Sequence, residues 1–111
     1  MTYILYHNPG CSKSRACLQL LLNNNICFKK RLYIKDPLNY GEISELVERF
    51  SGNLENLFRE NKKIGFNIKN KLLVKKFFFK NQCQLQRPIF YNGKNFTVCR
   101  PPKKVLDLIT T

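Results

Sequence analysis

Cys11 is the residue in this chain best placed for chemistry. It follows Asn8-Pro9-Gly10, where a run of strand formers (Thr2 to His7) gives way to a helix-like pattern. A helix start carries roughly half a positive charge and unpaired N–H donors. A thiol placed there ionises more readily than the usual value of about 8.5. Lys13 and Arg15 act in the same direction, and His7, four residues earlier across the turn, is expected to support the thiolate as an imidazolium. The same backbone donors would cradle an oxyanion, so nucleophile and anion site would coincide. The competing reading is a small buried Cys at a helix start. Arginine supplies the second signal: the chain holds six Arg against 14 Lys. Arg59, Arg87 and Arg100 each end or follow an element, and Arg87 and Arg100 directly precede Pro. A guanidinium forks onto oxyanions with a geometry that Lys cannot offer; ordinary surface solvation or ion pairing is the alternative.

The other thiols carry less. Ser14 occupies the place where a CxxC pair would have its second Cys, so a thiol that resolves Cys11 should come from another molecule. Cys17 lies more than a turn further along the presumed helix, too far for a direct disulfide with Cys11. Cys27 and Cys83 sit in apolar contexts and read as core fillers. Cys99 could lie near the site, although strand alternation would turn it and Arg100 to opposite sides. Five Cys with irregular spacing argue against a secreted disulfide framework. One His is too few for the usual zinc site, and no metal is expected.

The elements that must position these residues follow from periodicity. Thr2 to His7 reads as a buried strand. Ser12 to Asn23 reads as a helix, with Ala16 and Leu20 along its apolar line and Cys17, Leu18, Leu21 and Leu22 widening it. Ile26 to Ile34 reads as a second strand, which makes a βαβ unit and a parallel pair. After Asp36-Pro37, Asn39 and Glu42 resemble a capping box, leading a helix through Ile43, Leu46, Val47 and Phe50. A helical turn covers Leu54 to Phe58, and a helix covers Lys71 to Lys80. Pro88 to Tyr91 and Asn95 to Cys99 form a hairpin around Asn92-Gly93, with type I′ geometry expected. Val105, Leu106 and Ile109 mark a terminal helix. The expectation is one α/β domain over 1–111 with a mixed sheet (βαβ … ββα) and a helical insertion over about 37–82.

With 111 residues and 43% hydrophobic content, the chain can build its own core and is not disordered. No stretch approaches the roughly 20 apolar residues of a membrane span, and no signal peptide is evident. A cytoplasmic location is expected. The net charge is +13, and every acid except Asp107 falls between Asp36 and Glu60. Such a chain attracts polyanions through counterion release. Yet the excess is Lys, alongside 13 Asn, as compositional bias would produce, and no specific nucleic acid is expected.

The segments Tyr6-His7-Asn8-Pro9-Gly10-Cys11-Ser12-Lys13-Ser14-Arg15, Leu57-Phe58-Arg59-Glu60-Asn61, Arg87-Pro88-Ile89 and Arg100-Pro101-Pro102, taken together, resemble the glutaredoxin-dependent arsenate reductase (ArsC-type) family. Its wider group includes the Spx-type regulators. The resemblance spans nearly the whole chain and is closest to a short chromosomal branch. It implies a thioredoxin-like fold with a helical insertion and a cis Arg87-Pro88 bond. It also implies that Cys11 is the nucleophile that forms a thiol-arsenate ester, with His7 lowering its pKa and Arg59, Arg87 and Arg100 clamping the oxyanion. Ser14 and Arg15 match loop positions counted with the substrate-binding set. No bound cofactor is implied; glutathione acts as co-substrate and glutaredoxin as partner. Two alternatives are a glutathione-linked thiol oxidoreductase of another substrate and an Spx-like regulator that binds RNA polymerase. The family's regulators usually carry the CxxC pair that Ser14 interrupts. The segment Asn81 to Gln86 departs from the family's apolar lead into Arg-Pro-Ile.

Overall fold

The computed structural model describes residues 2–60 and 65–109; residues 61–64, which include Asn61 of the family motif and part of the insertion, lie outside it. Among the described residues four strands form one mixed sheet in the order β2-β1-β3-β4. Strand β1 (Ile4–Tyr6) runs parallel to β2 (Lys29–Arg31), joined through helix α1 (Ser12–Asn23). Strand β3 (Ile89–Tyr91) pairs antiparallel with β1 and with β4 (Phe96–Val98). The insertion carries helix α2 (Tyr40–Glu48), a 3₁₀ turn (Leu54–Leu57), helix α3 (Lys71–Lys80) and a 3₁₀ turn (Gln82–Gln84). This is the α/β, thioredoxin-like arrangement expected, and no described helix is long and apolar enough to cross a membrane.

Strand alternation divides the core. Tyr6 and Ile89 are register partners, as are Leu5 and Phe90, so each pair shares one face of the sheet. Tyr6 and Ile89 pack with Ile43, Leu46, Val74 and Phe78 of α2 and α3. On the other face Leu5 and Phe90 meet Cys17 and Leu21 of α1, with Cys99 and Val105. Each fully buried Leu or Phe contributes roughly 1.5–3 kcal/mol, and these two layers hold the sheet's ends in place.

Several local expectations change. Along α1 the buried line is Ser14, Cys17 and Leu21, whereas Ala16 and Leu22 face solvent. Strand β2 keeps only three residues of the expected Ile26–Ile34 run, because Ile34 lies beyond the paired segment and is exposed. In the hairpin only Gly93 has positive φ, 97°. Asn92 instead pairs with Asn95, its N–H donating to that carbonyl at 3.2 Å, while its side chain accepts from the Lys94 and Asn95 N–H groups. Gly93-Lys94 is therefore the two-residue loop, as in a type II′ turn rather than type I′. The terminal helix is a 3₁₀ run, Pro102–Leu108. Cys27 and Cys83 are exposed rather than core fillers, since Cys27 falls in the link after α1 and Cys83 in the Gln82–Gln84 turn.

The insertion is fastened by polar residues. Asn39 and Glu42 form the expected capping box, through bonds of 2.8 and 3.0 Å. Arg31 forks onto both Glu42 carboxylate oxygens at 3.1 Å and also donates to the Asp36 carbonyl. Glu48 of α2 binds Lys71 and Lys75 of α3 at 3.0 and 3.3 Å, which accounts for part of the lysine excess there. The Gln-rich approach to β3 is structural as well. Gln82 exchanges two hydrogen bonds with the Leu38 backbone, at 2.8 and 2.7 Å, and the Gln84 carbonyl accepts from the Arg59 N–H at 2.8 Å.

Candidate active site

Strand β1 ends at the loop that carries Cys11, β3 begins just after Arg87, and β4 ends just before Arg100. With β3 antiparallel to both neighbours, all three residues fall at one end of the sheet.

Cys11 is the N-cap of α1 and is 8% exposed. The Arg15 N–H donates to its carbonyl at 3.0 Å, opening the helix. Burial is the strongest single influence on its thiol and pushes its pKa up, but it is outweighed. The Ser14 N–H, the Arg87 guanidinium and the Lys13 N–H all favour the thiolate, and the thiol ends below its ordinary value. The expected helix-terminus effect is thus present, and Arg87 is the cation that acts on the sulfur.

The loop is locked from within. Ser14 Oγ lies 2.6 Å from His7 Nδ1 and accepts the Asn8 N–H at 3.1 Å. Asn8 Oδ1 accepts the Gly10 N–H at 2.9 Å, and Arg15 Nη1 donates to the Pro9 carbonyl at 2.8 Å. These bonds engage three of the expected site residues. His7 is buried, and burial, then Lys30 and Arg15, push its pKa down. Its Nδ1 bonds Ser14, and the shift favours the neutral imidazole over the imidazolium expected beside the thiolate. Ser14 is fully buried and spends its hydroxyl on the loop. Arg15 braces Pro9. Both bond within the loop that carries Cys11.

The three arginines have different surroundings. Arg87 reaches Cys11, and its Nε is the buried side-chain nitrogen or oxygen that lacks a hydrogen-bond partner among the described residues. A buried unpaired donor costs about 1–3 kcal/mol, and an anion held beside Cys11 would relieve that cost. Arg59 is exposed, yet its charge acts, with those of Arg87 and Cys11, on the hydroxyl of Tyr33. Arg100 instead donates from Nη1 to Gln86 Oε1 at 3.1 Å. It lines a groove of about 360 Å³ that does not include Cys11, Arg59 or Arg87. Of the three arginines expected to clamp an oxyanion, Arg87 acts on Cys11, Arg59 acts on Tyr33, and Arg100 bonds Gln86 beyond the end of β4, the sheet's edge strand. The Arg87-Pro88 and Arg100-Pro101 bonds are both cis.

Tyr33 is a residue that sequence reasoning missed. It is 2% exposed, and burial first of all raises its hydroxyl to about 12. It is therefore a protonated donor at neutral pH, amid the influence of Arg87, Cys11, Arg59 and Cys83. A single Tyr two residues past a strand gives no pattern by which to find it. Gln86 was missed for the same reason: its Oε1 accepts from both the Arg87 N–H and Arg100. The assembly offers an ionisable sulfur, a guanidinium with a spare donor and a buried phenol, which suits thiol attack on a small oxyanion.

Comparison with known proteins points the same way. The chain is 30% identical over 116 aligned positions to an arsenate reductase of Haemophilus influenzae, spanning 98% of this chain and 100% of the relative. An uncharacterized Escherichia coli protein is 27% identical, over 95% of this chain and 94% of its own. Among solved structures, an arsenate reductase from Vibrio cholerae superposes with a TM-score of 0.84 over 98% of both chains, at 24% identity; that likeness concerns the fold. No protein-family model matches the chain.

Proposed function

Since this chain belongs to the ArsC family of arsenate reductase-like proteins, we propose that Cys11 is the nucleophile of a thiol-based reductase of arsenate or a related small oxyanion, with glutathione and glutaredoxin as the electron source. The observation that carries this reading is the depressed Cys11 thiol beside Arg87, whose Nε has no partner. In the proposed reaction the thiolate attacks the central atom of the oxyanion, and one oxygen departs as water. Arg87 and Arg59 hold the remaining oxygens, and the Tyr33 hydroxyl is a further donor. Two glutathione thiols then supply two electrons and leave as one disulfide, which frees Cys11 and the reduced oxyanion. His7 and Ser14 are positioning residues: they hold the loop so that the Ser14 and Lys13 N–H groups face the sulfur. No bound cofactor enters this scheme.

The test is reductant consumption by the reduced protein with glutathione, glutaredoxin and arsenate. Wild type is expected to turn over and Cys11→Ser to show none. Arsenate is also expected to slow iodoacetamide alkylation of Cys11. No arsenate-dependent consumption, with alkylation unmoved by arsenate, defeats arsenate as the substrate. A Cys11–glutathione mixed disulfide formed without arsenate would then redirect the reading to a glutathione-linked oxidoreductase.

A further inference from the structure

The chemistry at Cys11 leaves two buried sulfurs unused. Cys17, in the middle of α1, and Cys99, the residue after β4, are both fully buried. They share one cluster with Leu5, Leu21, Phe90 and Val105, and their thiols are in hydrogen-bonding contact. Each is anchored separately. Cys17 is fixed by the helix; the Cys99 N–H donates to the Pro88 carbonyl at 3.0 Å and its Sγ to the Thr97 carbonyl at 3.8 Å. Two thiols already in contact on separately held segments need only close to the sulfur–sulfur distance of a disulfide, about 2.05 Å.

The cover over this cluster is slight. Val105 is the buried residue of the 3₁₀ run Pro102–Leu108, which packs against α1, while Leu106 of the same run is exposed. Hydrogen-bond geometry in a 3₁₀ run is poorer than in an α-helix, and segments with few buried contacts open locally at low free energy. Such an opening admits a small oxidant while α1 and the sheet stay formed.

We propose that Cys17 and Cys99 are an oxidisable dithiol that hydrogen peroxide closes to a disulfide, a redox-sensitive fastening of α1 to the end of β4 that does not use Cys11. Cys17 is the attacking sulfur, because the Cys99 contact favours its thiolate against the burial that opposes it. It takes one peroxide oxygen: the O–O bond breaks, a sulfenic acid forms, and the departing hydroxide takes up the proton that Cys17 released. The Cys99 sulfur then attacks the Cys17 sulfur. The S–O bond breaks, the S–S bond forms, and a second water carries off the Cys99 proton. Two thiols have lost two electrons, and peroxide has become two waters; a dithiol reductant reverses the link by exchange. Most of the chain lies between the two residues, so the link removes much freedom from the unfolded state.

The experiment uses a variant carrying Cys11→Ser, Cys27→Ser and Cys83→Ser, in which Cys17 and Cys99 are the remaining thiols. After hydrogen peroxide the intact mass should fall by about 2 Da, the two hydrogens lost, and alkylation of the denatured protein should find no thiol. The urea midpoint should rise by about 1–2 M and return with dithiothreitol. Wild type supplies a second reading: after peroxide, peptide mapping should recover Cys17 linked to Cys99, with Cys11 outside the link. Two thiols still open to alkylation after denaturation, a mass gain from added oxygen, or a dimer joined through Cys99 overturns the proposal. So does a disulfide that leaves the urea midpoint in place or lowers it.

Discussion

Cys11 and Cys17 belong to the same helix, less than two turns apart, and have opposite environments. Cys11 meets N–H donors and the Arg87 guanidinium at the helix start. Cys17 is fully buried among Leu5, Leu21, Phe90 and Val105, beside Cys99. The contact between the two thiols lowers the Cys17 pKa against the burial that raises it, while the same contact and then burial push the Cys99 thiol far up. Both regions exclude water, so burial alone does not decide the state of a thiol. What decides it is whether donors and positive charge accompany the burial. One end of α1 is built for reactivity and its middle for packing.

The sharpest way to break this contrast is Cys11→Ser. Turnover should fall by more than about 1,000-fold, while the chemical-denaturation midpoint stays close to that of wild type; retained turnover would mean that another thiol does the work. Arg87→Ala comes next. It removes the cation on the sulfur, so turnover should drop about 100-fold, and the pH profile of Cys11 alkylation should move upward. An unmoved profile would assign the depression to the backbone donors alone.

On the packing side, Cys17→Ser places a hydroxyl in an apolar cluster and should cost about 1–3 kcal/mol of stability, read from urea unfolding, with Cys11 alkylation unchanged. In a background where exposed Cys27 and Cys83 are replaced by Ser, native alkylation should mark Cys11 and leave Cys17 and Cys99 for the denatured state. The smallest effects are pH linkages. A thiol whose folded pKa is depressed contributes stability that is present above the unfolded value, about 8.5, and lost as pH falls through the folded one. Wild type should therefore gain on Cys11→Ser as pH rises through that window. His7 is also depressed: its neutral form is favoured by folding, so stability should decline as pH drops below about 6.5, and His7→Gln should flatten that decline.

The legible parts of the fold were those governed by local physics. The ends of α1 and α3 follow from turn residues and from the Asn70 cap, which accepts the Leu73 N–H at 3.3 Å. The capping box of α2 needed only Asn39 and Glu42. The order of elements implied the parallel β1–β2 pair. Errors gathered where a neighbour decides. Ala16, expected on the apolar line, faces solvent, while Ser14 is buried against the His7 side chain. Cys27 and Cys83 read as core fillers, but Cys27 lies in the link after α1 and Cys83 between Gln82 and Gln84 in a 3₁₀ turn, and both are exposed. Among the arginines, Arg31, never singled out, forks onto Glu42 through Nε and Nη2.

By itself the sequence determined that a thiol would stand at a strand-to-helix turn, that guanidinium groups would stand within the insertion and just before and just after the hairpin, and that the chain would fold as α/β. Those features depend on residues close together in the chain, where turn chemistry, capping and periodicity act. Only the tertiary structure decided which cation meets the sulfur, that His7 bonds Ser14, that Tyr33 is buried under the influence of Arg87 and Cys11, and that Arg100 bonds Gln86 in a groove beside β4. These depend on which strands become neighbours and on how far apart the sheet sets them, and no spacing along the chain encodes that distance.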